Sequence, residues 1–412
     1  MDQPFLAKQH VLFALRHAKY LPTAYQTEDA NRMTLAYFCL SALALLPSSA
    51  VSTADANLSA LEVMLRPAQR QGFVDWVYDQ QLPTGGFRGS DALIGSPSAT
   101  SEAPPPASAS TADPEPSTSA PGPPSSLDHP HIIQSYTALL ILGLLGDDFT
   151  RLNRAGLLNL LGSSQNADGS FSHFPGCSED PDPRSTYSAF AIASMLNDWS
   201  TVDVDKALSF LNSCRRYEGG FAQRPALEAN AGPTYCAIAS FSLASRLSSL
   251  SHPERLLRWL VARQVRPPPR RPASENSDYD DEEEGGETKE ESERDMAGFQ
   301  GRANKPTDAC YSFWSTAALQ LLLPTLPSLS SLTDLLDPTL DHVWLLSCQH
   351  PLYGGIAREP GAPPDVYHTY LSLAALSLGD AEGETLGLRR LDAAWNVEKG
   401  VAEGMKERLW SE

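Results

Sequence analysis

Five apolar segments recur along the chain, each with a tyrosine near its start: SYTALLILGLL, TYSAFAIASML, TYCAIASFSLA, CYSFWSTAALQLL and TYLSLAALSL, carrying Tyr136, Tyr187, Tyr235, Tyr311 and Tyr370. They are apolar nearly all round, which predicts helices buried on every side. Ahead of them run stretches such as FVDWVYDQQ and PERLLRWLVARQ, apolar along one stripe and polar elsewhere, as expected of helices with one face on a core and one in water. Several of these end in glutamine (Gln80, Gln165, Gln264, Gln349). A short glycine motif separates the two kinds of segment each time: TGGFRG at 84–89, DGSF at 168–171, EGGF at 218–221, AGFQG at 297–301 and YGGI at 353–356. Glycine supplies the turn that stops one helix and lets the next begin.

The chain therefore predicts an all-α repeat protein of helical hairpins, with a period of about 50 residues once two inserts are set aside. Apolar inner helices inside amphipathic outer ones can close into an α/α barrel, or toroid, whose inner helix starts ring one mouth. Residues 1–412 are expected to form this single domain. The first insert, 96–126, is rich in Pro, Ser and Ala, and the second, 267–296, is acidic; both are expected to be disordered. The second falls inside a turn between hairpin members, where extra length costs little loop entropy.

Charge narrows the function classes. From Glu275 to Asp295 twelve acidic residues face Lys289 and Arg294, a net of −10, so the rest of the chain carries −9 of the total −19. Such acidity disfavours nucleic-acid binding through phosphates. The longest apolar stretch, Leu35 to Leu46, stops at Pro47, short of the roughly 20 residues a membrane span needs, so no integral membrane protein is expected. Six scattered cysteines without a CxxC pair, and an N-terminus without a signal pattern, predict a reduced, cytoplasmic protein.

Aligning the five tyrosines compares the residues before them. Immediately before stand Ser135, Thr186, Thr234, Cys310 and Thr369; three before stand Ile133, Arg184, Gly232, Asp308 and Tyr367; His368 precedes Tyr370 by two. On this alignment Asp308, Cys310 and His368 sit at neighbouring inner-helix starts and could converge. Carboxylate, thiolate and imidazole make three zinc ligands with a fourth position open to substrate. The plainer reading is a capping Asp, a buried Cys and a core His. Arg302 and Lys305, just ahead of Asp308, suit an anion such as a diphosphate, the alternative being solvated loop cations.

The phrases YEGGFAQRPALEANAGPTYCAIASFSL, GFQGRANKPTDACYSFW and LLSCQHPLYGGIAREPGAPPDVYHTYLSLAALSL, in this order, resemble the β subunits of protein prenyltransferases. The likeness runs from NRMTLAYF to about Leu378 outside the inserts. It implies an α/α barrel in an obligate heterodimer with an α subunit of helical repeats, and one Zn²⁺ held by Asp308, Cys310 and His368. Arg302, Lys305 and Tyr311 would contact the prenyl diphosphate, Arg184 and Tyr187 match positions facing peptide and lipid, and Cys236 and Trp314 match the isoprenoid pocket. The zinc would present the substrate cysteine as a thiolate to the prenyl diphosphate, with the cations and Tyr311 stabilising the leaving group.

Within the family the chain resembles type I geranylgeranyltransferase, which modifies C-terminal CaaX cysteines, often with a final Leu, on Rho/Rac-type small GTPases. Thr34 stands where farnesyltransferases have a Trp closing the pocket floor, which leaves room for geranylgeranyl diphosphate. Arg358 stands where related enzymes carry an Asp linked to Mg²⁺, so Mg²⁺ is expected to be dispensable. Leu371, in HTYL, is placed with the substrate residues. Two departures stand out: Asn230 replaces the family's diphosphate histidine, and Tyr367 resembles farnesyltransferase, which loosens the expected preference for a final Leu. The rivals are the type II, Rab-directed β subunit, then farnesyltransferase, then a non-catalytic helical scaffold. DYDD at 278–281 spells a triterpene-cyclase acid motif but lies in the acidic run, where chance produces it.

Overall fold

The computed structural model describes residues 3–51, 58–91, 129–177, 181–266, 296–326, 328–329, 331–379 and 385–411. The 96–126 insert lies wholly outside them, and the 267–296 insert does so apart from Met296.

Among the described residues the chain makes six helical hairpins, each an outer helix followed by an inner one. They are α1 (Ala7–Lys19) with α2 (Arg32–Leu45), α4 (Pro67–Asp79) with α5 (Ile132–Leu145), and α6 (Arg154–Ser164) with α7 (Pro183–Leu196). The others are α8 (Val204–Ser213) with α9 (Ala231–Leu243), α10 (Pro253–Val261) with α11 (Cys310–Leu322), and α12 (Pro338–Ser347) with α13 (Val366–Leu378). A short helix, α3 (Ala60–Met64), packs on α2. Each inner helix packs on the next, and α13 packs on α2, so the ring closes as an α/α toroid. The sequence pattern shows five of these hairpins. The first is missed because no glycine motif joins α1 to α2; the connection is the 3₁₀ stretch Thr23–Asn31.

The all-apolar character of the inner helices follows from burial on both sides. In α5 Leu139, Leu140, Ile141 and Leu142 are all fully buried, each contributing about 1.5–3 kcal/mol relative to exposure. The glycine turns also lock the outer ring: Gly85, Gly169, Gly219 and Gly354 tuck against the backbone of the following outer helix, and Gly298 against the Trp344 side chain of α12. At Gly219, φ is +122° and an added Cβ would lie 2.5 Å from the Arg255 carbonyl oxygen of α10. At Gly354, φ is +68° and the Cβ would meet the Gln9 carbonyl oxygen of α1 at 2.2 Å. The last turn thus closes on the first helix, a contact only glycine allows. His10 Nε2 and Gln349 Oε1, 2.8 Å apart and buried, reinforce that seam.

The C-terminal segment plugs the barrel. Strands β1 (Leu391–Asp392) and β2 (Val397–Glu398) form a hairpin whose tip, 393–396, reaches the axis. There the hydroxyls of Tyr235, Tyr187, Tyr136 and Tyr370 donate to the carbonyls of Ala393, Ala394, Trp395 and Asn396 at 3.0, 3.0, 2.9 and 2.7 Å. Tyr37 also donates to Asn396. The following helix α14 (Lys399–Leu409) lies across the far ends of α5 and α7, where Met405 packs on Gly143 and Trp410 Nε1 donates to the Met195 carbonyl. The plug and α14 therefore leave uncovered, among the described residues, the end where the inner helices start. No helix among the described residues is long and apolar enough to cross a membrane.

Candidate metal centre and active site

Five of the six inner helices begin with a shared device; at the start of α2 the capping residue Asn31 makes no such bond. The side chains of His131, Asp182, Asn230 and Asp308 each accept a backbone N–H from two residues on, and Asp365 accepts that of His368. Five residues after each capping residue comes the axial ring: Tyr136, Tyr187, Tyr235, Phe313 and Tyr370. This corrects the alignment by tyrosine. Phe313, not Tyr311, stands at the axial place in α11, with its ring 5.1 Å from that of Tyr235. Tyr311 falls two residues earlier and faces the mouth, where Asn230 Nδ2 donates to its hydroxyl at 3.4 Å. Its ring lies over Gly301, where any Cβ would collide with it at 2.0 Å.

A spacing in the sequence carried the correct register. The Phe221 N–H donates to Thr234 Oγ1 at 2.9 Å and the Ile356 N–H to Thr369 Oγ1 at 2.8 Å, each 13 residues apart. Thirteen residues after Phe299 stands Ser312, next to Phe313.

Although the register differed, the three expected ligands do meet. The donor atoms of Asp308, Cys310 and His368 all lie within 4.8 Å of one another, with Asp308 Oδ1 3.2 Å from His368 Nε2. Asp308 is thus both a helix cap and part of this cluster, so the plainer reading of it as a cap holds as well. Asp365, which the sequence reading did not single out, completes the arrangement. Its Oδ2 lies 2.6 Å from His368 Nδ1, which fixes the ring and leaves Nε2 turned to the cluster, as an outer carboxylate does for a metal-bound histidine.

The electrostatics suit a cation. Burial first, then the Asp308 carboxylate, push the Cys310 thiol well above its usual range. Burial acts against protonated His368, but the carboxylates of Asp308 and Asp365 outweigh it and raise the ring to about 9. Burial would likewise raise Asp308, and the bonds from His368 and Cys310 outweigh it, holding the carboxyl below its usual range. Three unlike donors pulling against one another at one small locus fit a zinc ion with an open fourth position.

The other expected residues have varied surroundings. Trp314 Nε1 donates to the Tyr367 hydroxyl at 3.3 Å, and Trp314 also packs on Tyr235 at 5.2 Å. Phe38 of α2 meets Tyr367 edge-on at 5.5 Å, one turn beyond Thr34, whose hydroxyl donates to Gln134 Oε1 at 3.0 Å. Cys236 is buried in the wall, and Leu371 lies wholly within the core. Tyr187 is 5% exposed and its hydroxyl is committed to the plug. Arg184 pairs with its own cap Asp182 at 2.5 Å, and Arg302 pairs with Glu228 at 3.3 Å. Lys305 is exposed on the loop that carries Arg302. Arg358 accepts the Ala309 N–H on its backbone oxygen at 2.9 Å, while its exposed guanidinium pairs with Glu359 at 2.6 Å.

Comparison with known proteins agrees with this geometry. The prenyltransferase alpha-alpha toroid domain matches residues 5–397. The chain is 33% identical over 381 residues to the geranylgeranyl transferase type-1 subunit beta of Dictyostelium discoideum, covering 89% of each chain. It is 31% identical over 393 residues to that subunit of Arabidopsis thaliana, covering 92% of this chain and 86% of the other. In fold it matches a solved Candida albicans protein geranylgeranyltransferase-I complexed with GGPP at a TM-score of 0.72, with 24% identity over 98% of this chain and 99% of that one. The chain belongs to the prenyltransferase alpha-alpha toroid family and is a transferase subunit of that family.

Proposed function

We propose that the chain is the catalytic β subunit of a protein geranylgeranyltransferase type I, acting with an α subunit on CaaX-terminated small GTPases in the cytoplasm. The observation that carries this reading is the meeting of Asp308, Cys310 and His368 at the mouth of a barrel walled by apolar and aromatic side chains. Zn²⁺ held by these three would favour the thiolate of an incoming cysteine near neutral pH.

The rest is the work of the chain's own groups. Arg302, Lys305, Tyr311 and Asn230 bind the diphosphate. The Arg302–Glu228 pair is exposed and therefore weak, so Arg302 exchanges Glu228 for the more highly charged diphosphate at little cost. Trp314, Cys236 and Tyr187 lie along the isoprenoid, Arg184 and Tyr367 at the peptide side with Leu371 packed in the core behind them, and Thr34 leaves room for the last isoprene. As the sulfur–carbon bond forms, the carbon–oxygen bond to diphosphate breaks. Tyr311 and the cations then stabilise charge gathering on the leaving oxygens. The products are a thioether and free diphosphate.

The test is co-expression with an α subunit, followed by turnover with geranylgeranyl or farnesyl diphosphate on CaaX peptides ending in Leu or Met. Preference for the geranylgeranyl donor on a short peptide, without any escort protein, supports the proposal. A farnesyl preference, or activity only on escorted Rab proteins, replaces it with one of the related classes. No transfer at all would leave a binding scaffold.

A further inference from the structure

Away from the mouth, a cavity of about 300 Å³ lies between α11, the 3₁₀ turn Leu332–Asp334, α12 and the end of α13. None of the residues assigned above to metal, diphosphate, lipid or peptide lines it. Its volume is at the small end of the range for small-molecule sites, about 300–1,000 Å³. Most of the wall is hydrocarbon, including Leu323, Leu332, Leu336 and Leu376.

One wall carries an exception. Asp341 of α12 is only 6% exposed, and its carboxylate has a single donor among the described residues, the Ser312 hydroxyl at 2.7 Å. No ion pair to Asp341 occurs among the described residues. In the equivalent place of other hairpins the hydroxyl serves the glycine-turn backbone instead, as Thr234 and Thr369 do. Ser312 has been diverted to Asp341. Gln320, also lining the cavity, has a buried Oε1 with no donor among the described residues. A buried carboxylate lacking a counter-charge costs several kcal/mol, and an amide oxygen without a donor adds to that cost. The Gln264 and Gln320 amides and the His342 imidazole also line the cavity, but no lysine or arginine does, so what faces the Asp341 carboxylate lacks a fixed positive charge.

We propose that this cavity is a binding site for a small primary ammonium ion, with its N–H groups on Asp341 and Gln320 and its hydrocarbon body against the leucine wall. Burial pushes the Asp341 carboxyl up to about 7, consistent with a group that lacks its counter-ion. Because Ser312 belongs to the first turn of α11, two residues beyond Cys310, an occupant would also steady the helix that presents the metal ligand.

The experiment uses the purified heterodimer and three probes of equal length and different charge: n-butylammonium, 1-butanol and butyrate. Binding is read by ligand-observed NMR and titration calorimetry. Butylammonium is expected to bind at least about tenfold more tightly than butanol, and butyrate not detectably. Asp341→Asn should abolish that preference while leaving butanol binding in place. Leu336→Trp, which fills the cavity, should remove binding of both butylammonium and butanol. Equal binding of ammonium and alcohol to the wild type would overturn the proposal, as would no binding of either, which would leave ordered water as the occupant. Ammonium binding that survives Leu336→Trp would place it elsewhere. If Asp341→Asn does not fold, the wild-type comparison and Leu336→Trp still decide the matter.

Discussion

The buried carboxylate of Asp341 makes a prediction about stability that does not depend on any ligand. Burial shifts it from an ordinary 3.8 to about 7. That gap is about three units at roughly 1.4 kcal/mol each, or about 4 kcal/mol of differential cost between the two ionisation states. The sign follows from proton counting. Between the two values the unfolded chain has released its proton and the folded chain still holds it, so the folded state binds more protons and loses stability as pH rises. Above about 7 both states are ionised and the contribution is flat. Asp341→Asn lacks this titration but keeps an oxygen for the Ser312 hydroxyl, so subtracting its unfolding free energy from that of the wild type cancels every other group. The difference should move against the wild type by about 4 kcal/mol between pH 4 and 8, most of it between 5 and 7. Urea unfolding of both proteins at a series of pH values measures it. Parallel curves would show that the carboxyl is not held protonated and would refute the reasoning. Saturating butylammonium should flatten the wild-type slope, because an ion pair keeps the carboxylate ionised in the folded state.

The remaining predictions concern the mouth. Asp365→Asn should lower metal affinity about 10–100-fold while sparing the helix start, since the amide oxygen can still cap His368; competition with a zinc chelator measures this, and wild-type affinity would remove Asp365 from the site. Cys310→Ala and His368→Ala heterodimers should be substoichiometric in zinc by metal analysis and lose most of their turnover; full zinc in both would sink the ligand assignment. Thr34→Trp should shift donor preference towards farnesyl diphosphate in steady-state competition, because the indole takes the space next to Gln134; an unchanged ratio would place the depth limit elsewhere. Arg358→Asp should be slow without magnesium and partly rescued by it. Two unit charges about 4 Å apart at an effective dielectric of about 20 interact by roughly 4 kcal/mol, and half of that exceeds a tenfold change in rate. A wild type that needs magnesium, or a variant indifferent to it, would refute the role given to Arg358.

The inner ring was legible in the sequence because full burial removes polar residues from every face of a helix, and five such runs survive the two inserts unbroken. The zinc ligands were legible for a less secure reason. The alignment that brought them together took tyrosine as the marker of equivalent positions, which put Tyr311 on the axis and Asp308 three residues before it. The packing position is set by ring volume at the axis, and Phe313 supplies that as well as tyrosine does. Only a hydroxyl partner for the plug is lost there. Convergence of Asp308, Cys310 and His368 survived the error because all three lie at or just before the first turn of adjacent inner helices under either register, and within one turn the rise is only about 1.5 Å per residue.

What stayed hidden was long-range. Nothing local in LDAAWNVEKG announces that its backbone carbonyls would meet five tyrosines from five helices, since a carbonyl carries no sequence signature. Asp365 was hidden differently: as a capping residue it looked fully employed. Its Oδ1 does cap α13, at 2.8 Å from the His368 nitrogen, and its Oδ2 at the same time holds the His368 ring. A carboxylate has two oxygens, and the cap uses one. At Asp308 a single oxygen serves both partners: Oδ1 accepts the Cys310 N–H at 3.0 Å and lies 3.2 Å from His368 Nε2. Metal-site geometry in this barrel is therefore inherited from helix capping. Five of the six inner helices begin with a side-chain acceptor at the mouth, and where that acceptor is an Asp, its carboxylate is left at that end of the barrel, held by the cap and able to serve a second partner.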